Sequence, residues 1–157
     1  MHSMHQTLRL AAAALLLSAA STLQAQGAVA GKWIAEYELG MRNVNGEVTS
    51  MGTGKARVSL QLKGDSVIGT WETLEPAPPA GTASRPLRGV IANGVLRLET
   101  EPSERRIMLN ETEQRIRMIT RYEVKVDGDA MTGTSQNIAP GGEIDPPARP
   151  FTASREK

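Results

Sequence analysis

Apolar and charged residues alternate with a period of two along Arg115-Ile116-Arg117-Met118-Ile119-Thr120-Arg121-Tyr122-Glu123-Val124-Lys125-Val126, and this pattern limits what the chain can build. Successive side chains of a strand point to opposite faces, so the segment reads as a half-buried strand with its even positions inward. Lys55 to Lys63 repeats the pattern, as do Trp33, Ala35, Tyr37 and Leu39 set against Lys32, Glu36 and Glu38. Past the first thirty residues only Ser103 to Gln114 has room for a short helix.

Turn residues punctuate the strands. Asn45-Gly46, Asn93-Gly94 and Asp127-Gly128 are pairs that suit the two central positions of a type I′ hairpin, and Lys63-Gly64-Asp65 is a close relative. With these as boundaries the strands fall at 32–44, 47–63, 66–74, 86–92, 95–101, 114–126, 129–137 and 150–155, each antiparallel to the next. The tight turns at Gly64, Gly94 and Gly128 gather at one end. The Asn45-Gly46 turn and the longer segments 75–85, 101–113 and 137–149 gather at the other.

An internal repeat supports this order: Leu62-Lys63-Gly64-Asp65-Ser66-Val67-Ile68-Gly69-Thr70 aligns with Val126-Asp127-Gly128-Asp129-Ala130-Met131-Thr132-Gly133-Thr134. Gly69 and Gly133 fall on the inward face, where a missing side chain lets a strand coil sharply. A meander of eight strands hides both its edges by pairing the first with the last. The expected fold is therefore all-β, an eight-stranded antiparallel up-and-down barrel, with an open β-sandwich as the alternative.

The first thirty residues have the form of an export signal: Arg9, the apolar run Leu10 to Ala20, then small and polar residues. The run is too short to span a bilayer, so no membrane insertion is expected. Cleavage is expected after Ala25, with Ala30 as the alternative, leaving residues 26–157 as a single barrel domain that is periplasmic or secreted. The chain has no cysteine, and its two histidines, His2 and His5, both lie in the leader. A mature chain without either residue type has no disulfide, thiol nucleophile, histidine base or Ser-His-Asp triad, and lacks the usual zinc and haem ligands. Removing Arg9 from the 18 basic residues leaves 17 against 17 acidic, which argues against nucleic acid as a partner. No cofactor is implied.

Gly31-Lys32-Trp33 at the start of the first strand resembles the Gly-x-Trp signature of lipocalins and their calycin relatives. The resemblance implies that Trp33 closes one end of the barrel beneath an arginine from a late strand, here Arg155. Over most of its mature length the chain also resembles a class of small exported bacterial domains of unknown function. These open with Gly-Lys-Trp, repeat a Gly-Asp-x-x-x-Gly-Thr hairpin and end in Phe-Thr-Ala-x-Arg, present here as Phe151-Thr152-Ala153-Ser154-Arg155. They occur alone or beside carbohydrate-processing domains. The lipocalin loop motifs and cysteines are absent, and the resemblance carries no catalytic residue.

Trp33, Tyr37, Trp71, Tyr122 and Phe151 are all the aromatics of the chain, and strand parity points each inward, where core packing is the default role. Trp71 lies closest to the loop-rich end, where an indole can stack on a sugar or an apolar ligand. Tyr37 and Tyr122 are expected to line the wall below it, with Arg85 and Arg149 at the rim. The carboxylate pairs Glu72 with Glu75, Glu99 with Glu101, and Glu111 with Glu113 have the composition a glycosidase needs. Glu72 and Glu99, however, point outward, and acid–base catalysis ranks below binding. Asp127, Asp129 and Asp145 are weak calcium candidates, because Asp127-Gly128-Asp129 is explained as a turn.

The expected function is that of a non-catalytic exported barrel binding a small apolar molecule or glycan at its loop-rich end. The alternative is a structural or interaction module accessory to another exported protein, such as a carbohydrate-processing one.

Overall fold

The computed structural model describes residues 28–78, 84–109, 112–142 and 146–157. Its strands are β1 (Gly31–Glu38), β2 (Met41–Val44), β3 (Glu47–Ser50), β4 (Thr53–Lys63), β5 (Ser66–Glu75), β6 (Ser84–Ala92), β7 (Val95–Thr100), β8 (Ser103–Leu109), β9 (Thr112–Asp127), β10 (Ala130–Ile138) and β11 (Arg149–Arg155). Eight of them close an antiparallel barrel in the order β1-β4-β5-β6-β7-β9-β10-β11, with β11 returning to β1. Closure leaves no edge for an open sandwich. The segment read as an export leader, residues 1–25, lies outside the described residues, as do Glu111, Glu143 and Asp145.

The sequence boundaries need three corrections. The two strands read as 32–44 and 47–63 each break at a glycine: Gly40 and Gly52 have φ of 115° and 89°. The backbone crosses the break through Leu39 N–H to Gly52 O and Met51 N–H to Gly40 O, and β2–β3 projects beyond the barrel as a separate ribbon. The segment 101–113, read as a loop with room for a helix, is mostly strand. Pro102 has no N–H to give the ladder, so β7 stops at Thr100, and β8 takes over the same partner, pairing Ser103 with Met118 through Leu109 with Thr112. Sixteen-residue β9 thus serves both the barrel wall and an overhanging hairpin.

The third correction is the turn centre. Asp127 pairs with Ala130, so Gly128-Asp129 occupies the central positions, and only Gly128 has positive φ, at 58°. That is the φ pattern of a type II′ turn, and Gly64-Asp65 repeats it with φ of 62° at Gly64. Asn45-Gly46 and Asn93-Gly94 have positive φ at both positions, as type I′ demands.

The interior is filled from the tight-turn end upward by Leu96, Val67, Leu87, Leu98, Val124 and Met131, and it is topped by aromatic rings. Gly133 makes this dense closure geometrically feasible, because a Cβ there would run into the Glu123 carbonyl of the neighbouring strand. Gly69 meets the Ser59 carbonyl in the same way.

Trp33 and Arg155 face each other across β1–β11 and seal the tight-turn end. The Arg155 guanidinium carbon sits 4.1 Å from the indole centroid, and its Nη1 and Nη2 donate to the carbonyls of Ala30 (2.9 Å) and Ala28 (2.6 Å). Trp33 Nε1 donates to the Val29 carbonyl at 3.0 Å, and the Val29 side chain is buried beneath it. Residues 28–30 are therefore a stopper held by the first and last strands.

The outer face is charged and cross-linked. Arg57 bridges Glu72 (2.9 Å) and the C-terminal Glu156 (2.7 Å), while Arg97 pairs with Glu123 and Arg121 with Glu99. This polarity, apolar inside and ionic outside, is the reverse of a lipid-facing barrel. Among the described residues no helix is long and apolar enough to cross a membrane.

Candidate functional site

At the loop-rich end, above the packed interior, lies a cavity of about 240 Å³. Its floor is aromatic. Trp71 on β5 stacks on Tyr122 of β9 at 5.2 Å with 21° between planes, and Tyr37 of β1 meets Trp71 edge-on at 5.1 Å. Phe151 packs below, 5.2 Å from Tyr122 and 6.4 Å from Trp71. Tyr37 has room for its ring because its cross-strand partner is Gly54, where a Cβ would come within 2.7 Å of the Tyr37 Cζ.

All five residues proposed as a binding set from sequence, Trp71, Tyr37, Tyr122, Arg85 and Arg149, line this one cavity. Arg85 lies across β5–β6 from Trp71, and Arg149 lies across β10–β11 from Ser135, so the register alone places both beside the aromatic floor. Trp71 itself is only 2% exposed. It serves the floor and the core together, and its Nε1–H is taken by Thr73 Oγ1 at 3.2 Å.

The sequence reading missed Arg105. It lies on β8, opposite Ile116, and reaches the cavity from the overhanging hairpin. The available signal was parity: once Pro102 is treated as a ladder gap rather than a strand end, Arg105 falls in register with the inward Ile116 and Met118. The remaining wall mixes Leu39, Pro146 and Pro147 with polar groups, Thr120 donating to Asn137 Oδ1 at 2.9 Å and Gln136 holding the Pro146 carbonyl at 3.0 Å.

The electrostatics are lopsided. Among the described residues Arg85, Arg105 and Arg149 line the cavity with a single carboxylate, that of Glu38. All three arginines are half-buried, whereas Glu38 is exposed. Among the described residues the arginine ion pairs engage Arg57, Arg88, Arg97, Arg106, Arg121 and Arg155, and none engages the three at the cavity. Burial lowers the Arg105 pKa, and the neighbouring charge of Arg85 lowers it further. Burial also drives the Tyr122 hydroxyl well above its ordinary value, against the opposing pull of Arg85. Tyr122 is a neutral phenol at any ordinary pH.

The carboxylates considered for acid–base work sit elsewhere. Glu72 and Glu99 are held by Arg57 and Arg121, Glu75 is 3.5 Å from Lys55, Glu101 is 3.7 Å from Arg88, and Glu113 is 3.6 Å from Arg106. None of these lines the cavity. Compared with known proteins, the chain matches no family model, no curated protein and no solved structure.

Proposed function

We propose that the protein is an exported, non-catalytic barrel that binds one small molecule in the cavity at its loop-rich end. The observation that carries the reading is the convergence of three arginines and three aromatic rings from six separate strands on one concave site above a filled core. A few polar groups aimed into an aromatic-floored cleft are what small-molecule sites are made of. The volume of about 240 Å³ lies just under the roughly 300 Å³ at which pockets begin to take drug-sized ligands, which favours a single ring or sugar unit. The charged outer face suits a soluble life in a periplasm or outside the cell.

The two tryptophans make the test direct, because Trp71 floors the cavity and Trp33 lies at the opposite end under Arg155. In a Trp33→Phe background the emission reports Trp71 alone. A broad small-molecule screen should yield ligands that alter this emission and raise Tm in a concentration-dependent way. Silence in both measurements would end the binding reading.

One observation favours the alternative, an interaction module. The β2–β3 ribbon and the residue after it expose Val44, Val48 and Met51 by 44%, 59% and 54%. Exposed apolar side chains along a ribbon standing off a charged barrel suit a protein partner. Capture of a partner that Val48→Glu abolishes would favour this reading.

A further inference from the structure

The cavity's imbalance of charge identifies the chemistry of its occupant. On the outer face of the barrel wall Arg57 is matched with Glu72 and Glu156, Arg97 with Glu123, and Arg121 with Glu99. Among the described residues no such pairing is made at the cavity, and three half-buried guanidiniums share one space with an exposed glutamate. Burying like charges together without counter-charges costs folding free energy. Among the described residues the carboxylates that meet arginines on the outer face have no counterpart here beyond Glu38.

We propose that the cavity takes a small carboxylate carried on a single ring, its acid group held by Arg85 and Arg105 at the wall with Arg149 at the rim, and its ring set against the floor of Trp71, Tyr122 and Tyr37. A guanidinium offers a planar fork of donors that matches a carboxylate's two oxygens, so two of them converging on one wall form an acid clamp. The lowered pKa of Arg105 agrees with this, since an anion brought to that wall offsets both the burial and the repulsion from Arg85. Glu38, exposed in the same space, offsets only part of the three positive charges, so the site still favours an anion, and a carboxylate matches the planar donor fork of a guanidinium. The aromatic floor, in which Tyr37 is half-buried and Trp71 and Tyr122 are 2% and 5% exposed, gives the cavity an apolar base for a ring, and the cavity volume admits one.

This inference rests on the small-molecule reading above, and the experiment separates the two. Calorimetric titration of the protein with benzoate, indole-3-acetate and glucuronate is compared with benzamide, indole-3-acetamide and glucose, the same bodies without the charge. Phenyl phosphate and inorganic phosphate complete the set. At least one ring acid should bind about tenfold or more tightly than its neutral counterpart, the strength expected of charged hydrogen bonds. Preference within the acids distinguishes an aromatic acid from a sugar acid as the source.

Arg105→Met and Arg85→Met keep the apolar stem. Each should weaken the acid about tenfold or more while leaving the neutral counterpart unchanged. Without ligand, Arg105→Met should melt at or above the parent temperature, because an unpaired buried charge has gone. Equal affinity for acid and neutral body, tighter binding of phenyl phosphate or inorganic phosphate, or a lower melting temperature together with unaltered acid affinity would each overturn the carboxylate assignment. Binding of the neutral bodies alone overturns it while sparing the small-molecule reading. No binding by any probe overturns the assignment and counts against the site itself.

Discussion

Replacing Trp33 with alanine removes the largest side chain from the sealed end of the barrel, and the structure lets the loss be apportioned. The indole is fully buried, so truncation costs about 3–5 kcal/mol from lost burial and the cavity left behind. Arg155→Ala loses two hydrogen bonds to the Ala28 and Ala30 carbonyls and a bond to Asp129 that is mostly in water. Charged hydrogen bonds are each worth roughly 1.5–3 kcal/mol when shielded, and a side chain 30% exposed keeps less, giving about 2 kcal/mol in all.

The two residues do not act independently. The cation–π contact contributes about 1 kcal/mol that either substitution removes. Trp33 also anchors Val29, and the carbonyls that Arg155 grips lie on either side of that residue. A double-mutant cycle should therefore give a coupling of about 1–2 kcal/mol, with the double mutant less destabilised than the sum of the singles. Urea unfolding followed by Trp71 fluorescence measures all four proteins, because Trp71 remains in each. Coupling below about 0.5 kcal/mol would mean that strand pairing alone seals this end and that the guanidinium rests on the ring without consequence.

Three further outcomes follow from the same geometry. Gly133→Ala should destabilise by about 1–3 kcal/mol in urea, because its Cβ meets a backbone carbonyl that cannot yield without opening the β9–β10 ladder, whereas Gly46→Ala, with open space around it, should show only the cost of its positive φ. Arg57 lowers the pKa of Glu156 below its ordinary value, so the stabilisation is present above about pH 4.5 and is lost as pH falls through the depressed folded value; Glu156→Gln should flatten that part of the acid limb in a Tm-against-pH series. On the reading of residues 1–25 as an export leader, mass spectrometry of the processed protein should find a chain that begins at Gln26 and retains Ala28 to Ala30, and a version starting at Gly31 should melt at lower temperature because the stopper is gone.

Much of the barrel was legible because its rules are local. Period-two alternation set the strand faces, and Asn-Gly and Gly-Asp turns set the pairing. Those two signals together put Tyr37, Trp71 and Tyr122 on one inner surface, and they set Arg85 and Arg149 beside it. Arg105 escaped because the alternation blurs in Ile107-Met108-Leu109 and because Glu101-Pro102 looks like the end of a strand, when the long β9 simply continues past the gap with a new partner. The stopper was invisible for a different reason: Val29 borders the leader, and nothing near it in sequence announces that Trp33 will take its carbonyl and Arg155 those of Ala28 and Ala30.

The grip of Arg155 on Ala28 and Ala30 spans separations of 127 and 125 residues, nearly the whole described chain. Such a contact belongs to a topology of high contact order, in which loop-closure entropy is spent before the closing strand returns any energy. While β11 is still being made, β1 and β10 are both bare edges, able to accept any strand that arrives. A growing chain is therefore a template for pairing with its neighbours until β11, Arg149–Arg155, has emerged. Circular permutation that joins the termini and opens the Gly94 turn would turn the slowest contact into a local one. It would shorten the interval in which two half-made barrels can exchange strands.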